Sequence, residues 1–141
     1  MRLQKLLAAG MTFAALNALA ASDDVNQALS TIGTAKTYAW GLVGTPAKVT
    51  DTELAARMLF QKATPGDLSQ AIGTASNEGK MYLLCIIKRT DDKLFTKLTA
   101  NNKFDQERIS SFHGDVLKTT DAQRIVDQIK KSNCDPLGWP A

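Results

Sequence analysis

The sequence predicts an all-α domain: a compact bundle, or a small stacked-helix array, of five to seven short helices with one disulfide. Three observations point there. Capping residues recur ahead of stretches in which apolar side chains return every three or four positions. One run, Met81–Ile87, is apolar throughout, the pattern of a helix buried on every side. The chain has only two cysteines, Cys85 inside that run and Cys134 near the end.

Taken in order, the first twenty residues read as a secretory signal peptide. Arg2 and Lys5 precede an acid-free, apolar stretch from Leu6 to Leu19, and Ala18-Leu19-Ala20 has the small-x-small form of a cleavage site. A membrane span asks for about 20 strongly apolar residues. This run is shorter, rich in alanine and interrupted by Asn17. The expected mature protein is residues 21–141, one domain, beginning at Ala21 or Ser22 and exported to the periplasm or beyond. No cysteine follows the cut, so a lipid anchor is not expected there.

Ser22-Asp23-Asp24 looks like the start of a helix that presents Val25, Leu29 and Ile32 on one face, with Gly33 weakening it. Tyr38, Trp40, Leu42 and Val43 are apolar, but Gly41, Gly44 and Pro46 break any long helix. The aromatic pair reads as core or lid packing rather than as a ligand platform. Thr50 and Glu53 have the spacing of a capping box opening the next helix. Leu54 and Met58 fall on one face of it, with Ala55, Leu59 and Lys62 alongside. Thr64-Pro65 opens a short helix with Leu68, Ala71 and Ile72 inward and Gly73 at its end.

Ser76 or Asn77 caps the central helix, and Gly79 loosens its first turn. Ile86 and Ile87 are β-branched, so a buried strand is the competing reading. The helical pattern of Lys88–Leu98 favours helix. Asp91 caps the following helix, with Leu94, Phe95 and Leu98 inward and Asn101-Asn102 stopping it. From 104 to 118, Phe104, Ile109, Phe112, Val116 and Leu117 step irregularly, and a further helix interrupted at Gly114 is the expectation. Thr120 and Gln123 suggest a second capping box, with Ile125, Val126 and Ile129 inward, Lys130-Lys131 at the helix end and Asn133 as a left-handed stop. The tail CDPLGWPA is not helical, and Trp139 is expected to pack near the disulfide.

Charge narrows the function classes. The full chain has 17 bases and 14 acids, net +3. Without Arg2 and Lys5 the balance is 15 to 14, which gives no basic field for nucleic acid. Cys85 and Cys134 are expected to pair in an oxidising compartment, closing a loop worth about 4 kcal/mol in the chain-entropy description. Two free buried thiols, or half of a metal site, are the rival readings; a metal would need more ligands than one histidine and scattered acids supply.

No phosphate loop, nucleophile elbow, zinc helix, Cys-x-x-Cys or calcium loop is present. The single histidine, His113, has Ser110, Ser111 and Asp115 nearby, which would suit a small hydrolase with His113 as base. The segment Ser-Ser-Phe-His-Gly-Asp looks like a turn, however, and a loop histidine on the surface is the preferred reading. Asp23-Asp24 and Asp91-Asp92 are explained by capping. No catalytic residue, cofactor or metal is therefore expected.

The run Ala75–Leu98, with Gly114-Asp115-Val116 and Ile125–Ile129, resembles a loose group of small secreted α-helical bacterial proteins of unknown function. In that group a Gly-basic-x-Tyr step, here Gly79-Lys80-Met81-Tyr82, opens a buried helix, and an Asp starts the next. A later Gly precedes a cysteine-type position, which here is Asp115, the second cysteine lying in the tail instead. The resemblance implies no activity.

The functional expectation is a protein-binding module, an immunity or inhibitor protein acting on a secreted toxin or wall hydrolase. The alternatives are an envelope-associated structural protein and a small hydrolase around His113. The expected binding face is basic: Lys88 and Arg89 end one helix, Lys93 and Lys97 lie four apart on the next, and Lys103 follows. Its expected partner is an acidic protein surface or an anionic envelope polymer.

Overall fold

The structure, a computed structural model, describes residues 14–101 and 103–134. Among them run α1 (Ala14–Gly33), α2 (Asp51–Lys62), α3 (Pro65–Ile72), α4 (Asn77–Thr90), α5 (Asp92–Asn101), β1 (Arg108–His113), β2 (Val116–Asp121) and α6 (Ala122–Ser132). Six helices agree with the sequence; the two strands do not. No described helix is long and apolar enough to cross a membrane.

α4 is the axis of the fold. Each residue from Met81 to Ile87 is at most 1% exposed, and α4 touches the other five helices and β1. The buried-strand alternative is thereby set aside: a helix apolar on all sides needs partners on all sides. Ser76 both caps α4 and ties it to the end of α1. Its hydroxyl accepts from Gly79 N at 3.1 Å and donates to the Ala35 carbonyl at 2.7 Å, while its N–H donates to Gly33 O at 2.9 Å. Gly79 does more than loosen a turn. A Cβ there would lie closer than 3.0 Å to the Ile32 carbonyl oxygen, so glycine is what lets the two backbones meet. At the other end, Asp91 caps α5 by accepting from Leu94 N, and Phe95 is buried.

The disulfide joins Cys85 at the middle of α4 to Cys134 just past α6, with Cα atoms 5.4 Å apart. Asn133 ends α6 in the left-handed region at φ 53°, as its sequence suggests. Residues 135–141, and with them the expected packing of Trp139, lie outside the described residues.

The all-α expectation fails at residues 104–118. Instead of a helix broken at Gly114 there is an antiparallel hairpin in the register Arg108↔Asp121 through His113↔Val116. Its loop is Gly114-Asp115, with φ positive at Gly114 (65°) and not at Asp115, the signature of a type II′ turn. Hydrophobicity hides the strand period because the inward positions are Ile109 and then Ser111, both buried, while Phe112 lies on the opposite face. β1 also takes a bridge from the loop after α1: Tyr38 N donates to Ser110 O, and Phe112 N to Tyr38 O, at 2.8 and 3.1 Å.

The hairpin also displaces the second capping box. Thr120 is held in β2 opposite Ile109, and the N-cap of α6 is Asp121 without a side-chain cap bond. Asp121 pairs with Arg108 at 2.7 Å instead, and Gln123 donates to Asp127.

Two helices start or face differently from expectation. α1 begins at Ala14, so Ser22-Asp23-Asp24 lie inside it rather than at its cap, and Asp24 pairs with Lys62 of α2 at 3.2 Å. Of the expected signal peptide, residues 1–13 lie outside the described residues. In α2 the first half of the capping box forms, Thr50 Oγ accepting from Glu53 N at 3.1 Å. The Glu53 side chain turns into the core instead of back to Thr50. It is fully buried, accepting from Gly41 N at 2.6 Å and from Arg57 at 3.0 and 2.6 Å. The inward face is therefore Glu53, Ala56 and Leu59, while Leu54 and Met58 are 55% and 37% exposed. α3 has the full reciprocal box, Thr64 with Asp67.

Candidate functional site

Two periodicities build a cleft on one side of the molecule. On the hairpin, Ser111 and His113 of β1 share a face with Lys118 and Thr120 of β2, because strand residues alternate and Ser111 pairs with Lys118. On α6, Arg124, Ile125, Gln128, Ile129 and Ser132 fall on one stripe at spacings of three and four. Tyr38-Ala39-Trp40, bridged to β1, supplies the third wall, and Cys134 closes the end. Together these enclose about 620 Å³, inside the usual range for ligand sites.

The third wall is fixed from below by Tyr82 of α4. Its hydroxyl accepts from Ala39 N at 2.8 Å and donates to Ala39 O at 2.7 Å. Tyr38, Trp40 and Tyr82 meet edge to face, with centroids 4.9 to 6.2 Å apart, an arrangement that adds attraction beyond area burial. The aromatic pair of the sequence is thus packing, as expected, yet it also lines the cleft. Burial pushes the Tyr82 phenol up to about 12, the Ala39 bond opposing it, and Tyr38, only partly buried at the cleft wall, is raised in the same direction.

No acid is among the described residues lining the cleft, whereas Lys118, Arg124 and His113 all are. The opposite hairpin face differs: there Arg108 is paired with Asp121. Neither Lys118 nor Arg124 has an ion-pair partner among the described residues.

His113 is the last residue of β1, not a loop residue as expected, although it is exposed. The structure brings it to Ser111, whose Oγ lies 3.5 Å from His113 Nε2. Ser110 points to the other face, its N–H donating to Glu78, and Asp115 sits in the turn. Two members of the conceivable hydrolase set meet, and among the described residues no carboxylate bonds to the ring. Among the described residues no His, Cys, Asp or Glu cluster could hold a metal ion.

The expected basic face on α4 and α5 is partly neutralised. Lys88 forms an ion pair with Asp92, one helical turn on, and lies 5.4 Å from the centre of the Phe95 ring. Arg89 lies 5.5 Å from the centre of the Phe60 ring. Asp92 thus neutralises a lysine in addition to starting a helix. Lys93, Lys97 and Lys103 are exposed and remain the basic part of that surface.

Sequence reasoning missed Lys118 and Arg124. The usable signals were the Gly-Asp pair between Arg108–His113 and Val116–Asp121, a hairpin cue, and the polar stripe 124, 128, 132 beside the apolar 125, 129.

A third feature is an open edge. β2 bonds through its backbone to β1 alone among the described residues, and Val116 and Leu117 are 49% and 56% exposed. Leu42 is exposed in the loop between α1 and α2. That loop is bonded to the hairpin turn by Gly44 N to Gly114 O at 3.3 Å, and to α2 by Gly41 N to Glu53. The exposed large apolar side chains Leu42, Leu54, Met58, Val116 and Leu117 therefore all lie on three connected pieces. Comparison with family models, with curated proteins and with solved structures gives no match for this chain.

Proposed function

We propose that this chain is an exported protein-binding module, of the immunity or inhibitor kind, whose partner is a secreted toxin or wall hydrolase. The observation that supports it best is the free edge of β2 with Val116 and Leu117 exposed along it. An unpaired strand edge offers N–H and C=O groups to an extended segment of another chain, and exposed apolar side chains beside it supply pockets and area. Edge strands are usually blunted by charge or proline, and β2 carries only Lys118 between Val116 and Thr120. The lysines at 93, 97 and 103 steer an acidic partner toward the molecule, an effect on association rate that fades with salt.

The test is retention of a partner from the envelope and secreted fraction on immobilised wild-type protein and on Val116→Lys with Leu117→Lys. One protein held by the wild type, lost by the variant, and losing its lytic or toxic activity when the pure wild-type chain is added is the expected result. A retained set identical for both baits would refute this reading. With the partner in hand, Lys93→Glu with Lys97→Glu should slow association at low salt only.

A further inference from the structure

We infer that the cleft between the hairpin and α6 is a binding site for a small anion carrying a flat apolar body, an aromatic carboxylate or phosphate. Three independent features carry this. The first is electrostatic. Lys118 and Arg124 face the same space without a described acid beside them, while the hairpin's other face pairs its own arginine with Asp121. Cations left together across a partly enclosed space repel each other and attract an anion more strongly than the same charges would in open solvent.

The second is the wall opposite. Tyr38 and Trp40 form an edge-to-face pair with Tyr82, and Ile125 and Ile129 of α6 are buried beside them. That surface suits a ring or another flat apolar group, and Ser111 and Thr120 also line the cleft. The third is rigidity. The walls are a strand pair, a helix tied by the Cys85–Cys134 disulfide, and a segment pinned twice through Ala39 to the Tyr82 hydroxyl. A site on regular, cross-tied elements is already organised before the ligand arrives. The site shares Lys118 and Thr120 with β2 but uses neither Val116 nor Leu117, and it does not depend on the protein-partner reading.

Phenyl phosphate is the probe, with inorganic phosphate and benzyl alcohol as its two halves, each titrated into full-length protein by two-dimensional NMR. Saturable shifts at Ala39, Trp40, His113, Lys118–Thr120 and Arg124–Ser132 are expected with phenyl phosphate. Each half alone should bind at least about tenfold more weakly, since the ring and the anion contribute to one site. Lys118→Gln with Arg124→Gln, both exposed positions, should keep the melting temperature and lose about tenfold or more in affinity, because charge-assisted hydrogen bonds are the strong ones. Arg108→Gln on the far face should leave affinity unchanged. Shifts that never saturate, that fall elsewhere, or that the double variant leaves intact would overturn the assignment. Inorganic phosphate binding as tightly as phenyl phosphate would also overturn it, showing that the aromatic wall plays no part.

Discussion

Replacing Gly79 by alanine is the most informative single change to the fold, because two opposed effects can be separated with a second glycine. Inside a helix, alanine is favoured over glycine by about 0.5–1 kcal/mol, chiefly through the entropy of the unfolded chain. At Gly33 nothing lies within 4 Å of a built Cβ. Gly33→Ala should therefore stabilise by up to that amount. At Gly79 the same methyl group would be closer than 3.0 Å to Ile32 O and 3.2 Å from Ile32 C, both backbone atoms. Backbone cannot swing aside as a lysine tip can, and here it is pinned by Ser76 N to Gly33 O and Ser76 Oγ to Ala35 O. Inserting a methyl group into such a contact costs about 1–3 kcal/mol, occasionally more. With the helix gain offsetting part of it, Gly79→Ala should lose roughly 2 kcal/mol, a shift of several degrees in melting temperature for a domain of this size. Urea unfolding followed by far-ultraviolet circular dichroism checks it, with the slope held constant so that the midpoint reports stability. Equal stabilisation by both alanines would show that α1 and α4 do not approach as described.

Three further outcomes follow from the core. Cys134→Ala should lower stability by about 4 kcal/mol, the value of a loop with a sequence separation of 49 in the chain-entropy description, and a thiol assay on native protein should find no free sulfhydryl. Glu53→Ala strands a partly buried Arg57 and the Gly41 N–H and should cost about 2–4 kcal/mol. Glu53→Gln, which keeps an acceptor, should cost less, and Leu54→Ala next door should stay within about 0.5 kcal/mol; equal losses at 53 and 54 would contradict the facing of α2. The chain's two tyrosines are Tyr38 and Tyr82, so absorbance at 295 nm reads them alone. Burial favours the neutral form of Tyr82, so its contribution is fully present below pH 10, the unfolded value, and is lost as pH rises through about 12. For Tyr82 alone that is about 3 kcal/mol. Phenolate should therefore appear near pH 10 in denaturant but only in a late, cooperative step in buffer; a native titration near pH 10 would refute the burial.

The residues show why some elements were legible and others were not. α3, α4 and α5 are set by short-range chemistry: Thr64 with Asp67, Ser76 with Gly79 and Asp91 with Leu94 act within one turn. The facing of α2 was not legible, because Glu53 becomes a core residue only through Gly41, twelve positions away, and Arg57. The hairpin was hidden because its inward positions include Ser111, so apolar residues do not alternate. The cleft was hidden for the same reason at a larger scale: Lys118 and Arg124 are six positions apart, but they share a space only once β2 and α6 fold against Tyr38-Trp40.

The sequence by itself determined that Met81–Ile87 would be the centre, that helices would start at Thr64, at Ser76 or Asn77, and at Asp91, and that Cys85 would meet Cys134. An all-apolar run has one stable environment, a cap acts within three residues, and two cysteines allow one intramolecular pairing. Tertiary structure alone decided which of two alike glycines is indispensable, since Gly33 meets nothing and Gly79 meets Ile32. It alone decided that a carboxylate belongs in the core and that two cations and an aromatic pair share one cleft. Each of those depends on what a distant segment places opposite, and local spacing carries no record of that.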